Sequence, residues 1–372
     1  MDNNLYCSLI HKGLNLDLRY SPPLAQHCCL RNAPFPVDVT QNFWTNKNFI
    51  DLREINQKNI WASGCENCKY LELSGAESFR TGMNSGLGTG EYNTSGPERI
   101  DLMFDISCNL ACAICGPQVS STWQKHLKDN NLWYQAISLP RSHHDAVTAL
   151  KQLDLSNLKM LVFAGGETLL GQAHWKVCEW LADNVPNAKQ QLTVCFQTNG
   201  TQPIDNRNYE LINKFHLVKL HISLDAVGDR FNYLRWPGDW SQVTDNIMRI
   251  RETAPSNTVF LIEETFSIFN LYYQNELTSW VKNNFATNRE GDVVNHTQHL
   301  VGHEYLDVNN ITQEYFDALQ GTSMIHVISP DWKENPDLIK TAVEQTDKFD
   351  QMRKLNWKKT FPEVAEFYSR YI

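Results

Sequence analysis

The sequence has no apolar run of about 18 residues, so it offers no helix able to span a bilayer. Its first residues, Met1-Asp2-Asn3-Asn4, lack the basic-then-apolar layout of a secretory leader. It also lacks an excess of positive charge. Lysine and arginine number 33 against 42 aspartates and glutamates, a formal net charge of −9, and no basic stripe marks a nucleic-acid partner. No internal repeat or low-complexity tract interrupts it. These absences predict a cytoplasmic protein with no membrane association and no evident nucleic-acid binding. Against that background the ten cysteines stand out. In a reducing compartment such a number points to metal or redox roles rather than disulfides.

The cysteines are unevenly placed. Cys7, Cys28, Cys29, Cys65 and Cys68 precede residue 70, Cys108, Cys112 and Cys115 form a tight group, and Cys178 and Cys195 stand alone as expected core thiols. Between the first two groups, residues 74–97 carry six glycines and few large apolar side chains, which predicts a linker. The expected organisation is a cysteine-rich metal-binding domain at 1–73, the linker at 74–97, a core at 98–305 and a C-terminal helical extension at 306–372. The histidines include the pair His143-His144 and the group His296, His299 and His303, of which the group is expected in a solvated loop.

Within the core, strand-like stretches at Ile100–Asp105, Met160–Ala164, Gln191–Gln197, Val218–Leu224, Val259–Ser267 and near His299–Val301 alternate with helical patterns. The helical patterns are Ser121–Lys128, Gly171–Asn184, Tyr209–Phe215, Ser241–Arg251 and Tyr273–Asn284. Phe349–Trp357 is expected in a terminal helix. Strand–helix alternation predicts parallel strands joined by right-handed crossovers. Six units are too few for eight-fold closure, so the predicted fold is α/β, a partial (β/α)6 TIM-like barrel with a small N-terminal cysteine-rich domain.

Asp105-Ile-Ser-Cys108-Asn-Leu-Ala-Cys112-Ala-Ile-Cys115 follows the first core strand, at the end where parallel α/β folds place their sites. Three close thiolates can hold three corners of an iron–sulfur cube and leave one iron open to a ligand. A zinc site completed by a distant ligand, or buried structural thiols, are the alternatives. The Cys-x3-Cys-x2-Cys spacing at a strand-to-helix loop resembles the signature of the radical S-adenosylmethionine (SAM) superfamily. The resemblance implies a [4Fe–4S] cluster that reductively cleaves SAM to a 5′-deoxyadenosyl radical for hydrogen abstraction. It also implies an electron donor such as flavodoxin or ferredoxin.

Later strand ends carry further matches. Ala164-Gly165-Gly166-Glu167-Thr168 resembles the family's Gly-Gly-Glu-Pro turn, with Thr168 in place of proline. Thr198-Asn199-Gly200 and Ser223-Leu-Asp225-Ala resemble its motifs after the third and fourth strands. By resemblance the Gly165–Thr168 turn meets the SAM ammonium, and Thr198 and Asn199 close the third strand beside it. Ser223 and Asp225 lie near the SAM carboxylate and ribose, and Arg235 pairs with that carboxylate. Ser267 and Asn270 stand where relatives place further contacts. Ile114 occupies the position of an aromatic residue that packs on adenine.

Cys65-x2-Cys68 is a two-ligand clip that distant cysteines can complete, for zinc or for an iron–sulfur cluster. The layout resembles the twitch domain, a shortened SPASM domain that binds one auxiliary [4Fe–4S] cluster. That implies Cys7, Cys28, Cys65 and Cys68 as ligands, with Cys29 the alternate to Cys28. In many relatives this domain follows the barrel, whereas here the cysteines precede it. Proteins of this layout commonly modify peptides or proteins, which is the favoured expectation. Radical modification of a small molecule or nucleotide is the competing one, and a metal-stabilised binding module without radical activity the third.

Overall fold

The computed structural model describes residues 5–90, 95–132, 145–285, 297–300 and 304–372. His143, His144, His296 and His303 lie outside them, and His299 is described in its backbone alone. Nine strands form one sheet in the order β3-β2-β1-β4-β5-β6-β7-β8-β9. In chain order they are β1 Gly13–Asp17, β2 Leu24–Gln26, β3 Phe35–Pro36, β4 Arg99–Met103, β5 Met160–Ala164, β6 Thr193–Thr198, β7 Leu217–Ser223, β8 Thr258–Phe266 and β9 Thr297–Leu300. From β4 to β9 every pairing is parallel and each strand lies beside its predecessor. The fold is mixed α/β.

Helices make the crossovers because their apolar faces match the sheet. In Trp240–Thr253, Val243, Ile247 and Ile250 fall on one face and are buried, and Asp239 caps the first turn by accepting from Gln242 N at 2.9 Å. Helices Ala173–Asn184, Asn206–Ile212 and Gln274–Phe285 fill the corresponding places after β5, β6 and β8. Strand β7 buries Val218, Leu220 and Ile222 against this layer. Lys219, His221 and Ser223 alternate with them and occupy the opposite face. That second face carries charged side chains among apolar ones. The sheet register aligns Asp101, Val162, Cys195 and Lys219 across β4 to β7.

Two expectations from composition are corrected here. The glycine-rich stretch carries a helix, Phe79–Leu87, started by a Ser78–Thr81 capping box. Side-chain contacts outweigh its glycines: Asn84 accepts from Ser8 N at 2.8 Å and donates to Tyr6 O at 2.8 Å. The N-terminal segment also joins the core sheet, since β1 pairs parallel to β4 and extends through antiparallel β2 and β3. At the other end of the chain, helix Pro336–Arg353 stops at Lys354, whose φ is +56°, and a separate turn covers Trp357–Thr360. The C-terminal residues form a second aromatic core with Phe269, Tyr315, Trp357, Phe361 and Tyr368, which reaches Ala113 of the cysteine loop.

Candidate functional site

The loop after β4 brings the three clustered cysteines to the C-terminal end of the parallel strands. Its backbone is fixed by side-chain and backbone hydrogen bonds. Thr122 Oγ1 and Ser121 Oγ donate to the Cys108 carbonyl at 2.6 and 3.2 Å, and Ser120 Oγ donates to Leu110 O at 2.6 Å. Trp123 Nε1 donates to Cys112 O at 2.8 Å. Ala111 N and Ala113 N donate to the carbonyls of Trp236 and Leu234, each at 2.7 Å. All of these groups lie within the loop, the helix after it, or the segment after β7.

The Gly165-Gly166 turn after β5 presses on the same loop. A Cβ at Gly166 would lie 2.2 Å from Ser107 O, and one at Gly165, whose φ is +123°, would lie 2.6 Å from Asp105 O. Only glycine permits that approach. Glu167 N donates to Ser107 O at 2.8 Å. The Glu167 side chain points inward, where its carboxylate accepts from Thr198 Oγ1 and Asn199 N, both at 2.6 Å, and from Leu169 N at 3.0 Å. Burial raises its pKa against the opposing effect of these hydrogen bonds. Thr168 Oγ1 donates to Gln197 O at 2.8 Å. The Gly-Gly-Glu and Thr-Asn-Gly segments are therefore two halves of one buried hydrogen-bonded unit.

The thiols are close enough to sense one another. Burial pushes Cys108 and Cys115 up to about 12, with the neighbouring Cys112 adding to the shift at both. Cys112 is raised by burial, and the positive charges of Arg235 and Arg353 oppose that rise. Leu110 N donates to Cys108 Sγ at 3.5 Å, and Asn199 Nδ2 lies 3.9 Å from the same sulfur. Among the described residues no three Cys, His, Asp or Glu side chains converge as they would on a single metal ion.

Asp225 and Arg235 lie near Cys112. Asp225 is fully buried, Arg235 is nearly so, and their Oδ2 and Nε atoms lie 2.8 Å apart as an ion pair. Burial pulls the Arg235 pKa down, but Asp225 and Cys112 more than offset it, and the net shift is upward. Arg235 is thus engaged by a carboxylate of the chain itself. Asp225 Oδ1 also accepts from Thr265 N at 3.0 Å. Ser267 and Asn270 are buried and bonded to each other, and Asn270 Nδ2 donates to Asp225 O at 2.9 Å. Ser223 ends β7 half-buried, and Ile114 packs half-buried against the C-terminal core.

Sequence reasoning missed the charged side chains on the second face of the sheet. His221 Nδ1 lies 2.5 Å from Glu263 Oε1, and Arg99 pairs with Asp101 at 2.9 Å. The period of two in Val218-Lys-Leu-His-Ile-Ser223 was the available signal.

At the N-terminus, Cys7, Cys28, Cys65 and Cys68 line one cavity with His27, Arg31 and Arg80. Cys29 is exposed and does not line it. Burial pushes Cys7 to about 12 and Cys65 to about 11, and it also raises Cys28. His27 is lowered to about 3 by burial, and its Nε2 lies 3.8 Å from Cys65 Sγ. Cys178 and Cys195 are buried in helix and strand, as expected of core thiols.

No family model matches the sequence, and no curated protein matches it. Among solved structures, anSMEcpe with bound AdoMet aligns at 16% identity and a TM-score of 0.39, over 68% of this chain and 57% of that one. SuiB of Streptococcus suis bound to S-adenosylmethionine aligns at 11% identity and a TM-score of 0.39, over 92% of this chain and 70% of that one. SuiB bound to the precursor peptide SuiA aligns at 12% identity and a TM-score of 0.38, over 94% and 74%. The chain therefore spans less than two thirds of the length of anSMEcpe. Among the described residues no helix is long and apolar enough to cross a membrane.

Proposed function

We propose that this chain is a radical SAM enzyme, with Cys108, Cys112 and Cys115 as ligands of a [4Fe–4S] cluster. The observation that carries this reading is the cysteine loop itself: three spaced thiols at the strand ends, with two arginines beside Cys112. In this reading the strands from β4 to β9 form the arc of a partial barrel, and the face that bears His221–Glu263 and Arg99–Asp101 is where substrate lies. The cluster, when bound, supplies the electron that splits SAM to a 5′-deoxyadenosyl radical.

The chain's own residues orient and enclose that chemistry. Trp123, Ser120, Ser121 and Thr122 hold the loop carbonyls, and the Gly165-Gly166 turn fixes the loop height. Glu167, Thr198 and Asn199 lock the adjoining strand ends together. Asp225 and Arg235 form a buried pair between the loop and β8. The C-terminal aromatic core covers Ala113 and keeps water from that side.

The four N-terminal cysteines, which line one cavity, are the proposed ligands of an auxiliary [4Fe–4S] cluster, with zinc as the alternative. Peptide or protein is the proposed substrate class, on the layout of these cysteines. A small molecule or nucleotide is the alternative, and flavodoxin or ferredoxin the proposed class of electron donor. Iron analysis joined to EPR of the reduced protein tests the reading. SAM should alter the signal of one cluster, and replacing Cys65 and Cys68 by alanine should remove half of the iron while that response persists. A wild-type spectrum indifferent to SAM would refute the assignment.

A further inference from the structure

Arg353 belongs to none of the motifs, yet it reaches the centre of the cysteine loop. It ends the helix Pro336–Arg353, is 8% exposed, and donates from Nη2 to Ala111 O at 2.8 Å across 242 residues of sequence. Its guanidinium carbon lies 4.5 Å from the centroid of a Trp123 ring and 5.3 Å from that of Trp236. Trp123 in turn donates to Cys112 O, and Trp236 O accepts from Ala111 N. The peptide carbonyls on both sides of the Cys112 α-carbon are therefore held by one stacked unit, Arg353 on Trp123.

The positive charge of that unit acts on Cys112, opposing the rise that burial gives its thiol, and Asp350 partly offsets it. Arg353 makes no ion pair among the described residues, and its Nε is a buried donor with no acceptor there. The groups that face it are Asp350, the hydroxyls of Tyr233 and Tyr305, His126 and Cys112. Asp350 is already engaged, accepting from Tyr233 Oη at 2.7 Å and from Trp357 N at 2.5 Å. Arginine stays protonated even where burial lowers its pKa, as it does here.

We propose that Arg353 is a positioning residue for the Cys112 arm of the loop, and that its positive charge raises the reduction potential of the cluster bound there. The inference rests on the proposed cluster at Cys108, Cys112 and Cys115. A fixed positive charge beside a cluster favours the reduced, more negative state, so its removal makes electron uptake harder. The C-terminal extension thereby becomes part of the redox site.

Potentiometric EPR titration of the SAM-responsive signal in the reconstituted full chain tests this without substrate. Arg353→Met should lower the equilibrium constant for electron uptake about tenfold, which is ~59 mV for a one-electron couple. Arg353→Lys, which keeps the charge, should stay within about twofold of wild type. Equal potentials in wild type and the methionine variant would overturn the proposal, as would a lysine variant shifted as far as the methionine one. If Arg353→Met binds no iron, the lysine variant decides. Iron at the wild-type potential supports the charge role, and an iron-free lysine variant overturns it in favour of packing alone. A wild-type protein without any SAM-responsive signal is a separate result that removes the cluster assignment itself.

Discussion

Gly166→Ala is the sharpest perturbation of the proposed site that leaves every candidate ligand in place. The added Cβ would sit 2.2 Å from Ser107 O and 2.8 Å from both Ile106 C and Ser107 C. These are backbone atoms, so no side chain can swing aside. Restoring a normal C···O separation of about 3.3–3.6 Å requires the loop to retreat by roughly 1 Å. Overpacking of this kind costs about 1–3 kcal/mol. The retreat also weakens the hydrogen bond from Glu167 N to Ser107 O, 2.8 Å long in the native turn, at a further cost of about 0.5–1.5 kcal/mol. A total of roughly 2–4 kcal/mol is expected. Ser107 directly precedes Cys108, so the displacement passes to the first thiol.

Denaturant unfolding of the apo-protein reads the energy, and iron content after anaerobic reconstitution reads the geometry. Gly166→Ala should lose both stability and the iron held by the triad. Gly82→Ala is the control, since it lies in helix Phe79–Leu87 with nothing within 4 Å of the new Cβ. It should gain about 0.5–1 kcal/mol and keep its iron. A Gly166→Ala protein with native stability and full iron would show that the close approach of turn and loop does not exist.

Two further outcomes follow from buried charge. Arg235→Ala strands the Asp225 carboxylate without its cation, which should cost about 3–5 kcal/mol in chemical unfolding. Asp225→Asn combined with Arg235→Met should recover most of that loss, and a single variant as stable as wild type would contradict the pair. Glu264 is fully buried, and burial, aided by Asp225, raises its pKa to about 9. Between the ordinary carboxylate value and about 9 the folded state holds a proton that the unfolded state has released, so stability falls as pH rises through that window. The loss amounts to about 3 kcal/mol by pH 7 at 1.36 kcal/mol per unit. Glu264→Gln should flatten stability between pH 5 and pH 8, and an unchanged slope there would remove Glu264 as its source.

The core strands were legible because short apolar runs bounded by turn residues leave few alternatives. Met160–Ala164 has the same bounds in sequence and structure, and the helix after it differs by two residues at its start. The N-terminal strands were not legible. Gly13–Asp17 is buried along its whole length, so it shows no alternation, and β3 has two residues. Glycine content misled at Phe79–Leu87, where Arg80 and Asn84 anchor the helix through bonds to Tyr6 O. The cysteine spacing marked the candidate site, but spacing is silent on long-range partners. Nothing local announces that Asp225 and Arg235 face each other, that Glu167 turns inward to Thr198, or that Arg353 reaches Ala111.

The central claim is that the loop of Cys108, Cys112 and Cys115 performs SAM cleavage. The direct measurement is 5′-deoxyadenosine formed from SAM by the anaerobically reconstituted, chemically reduced protein, with Cys112→Ala assayed beside it. The account predicts product from the wild type and none above background from the variant. Equal product from both, or none from a wild-type protein with full iron, would contradict it.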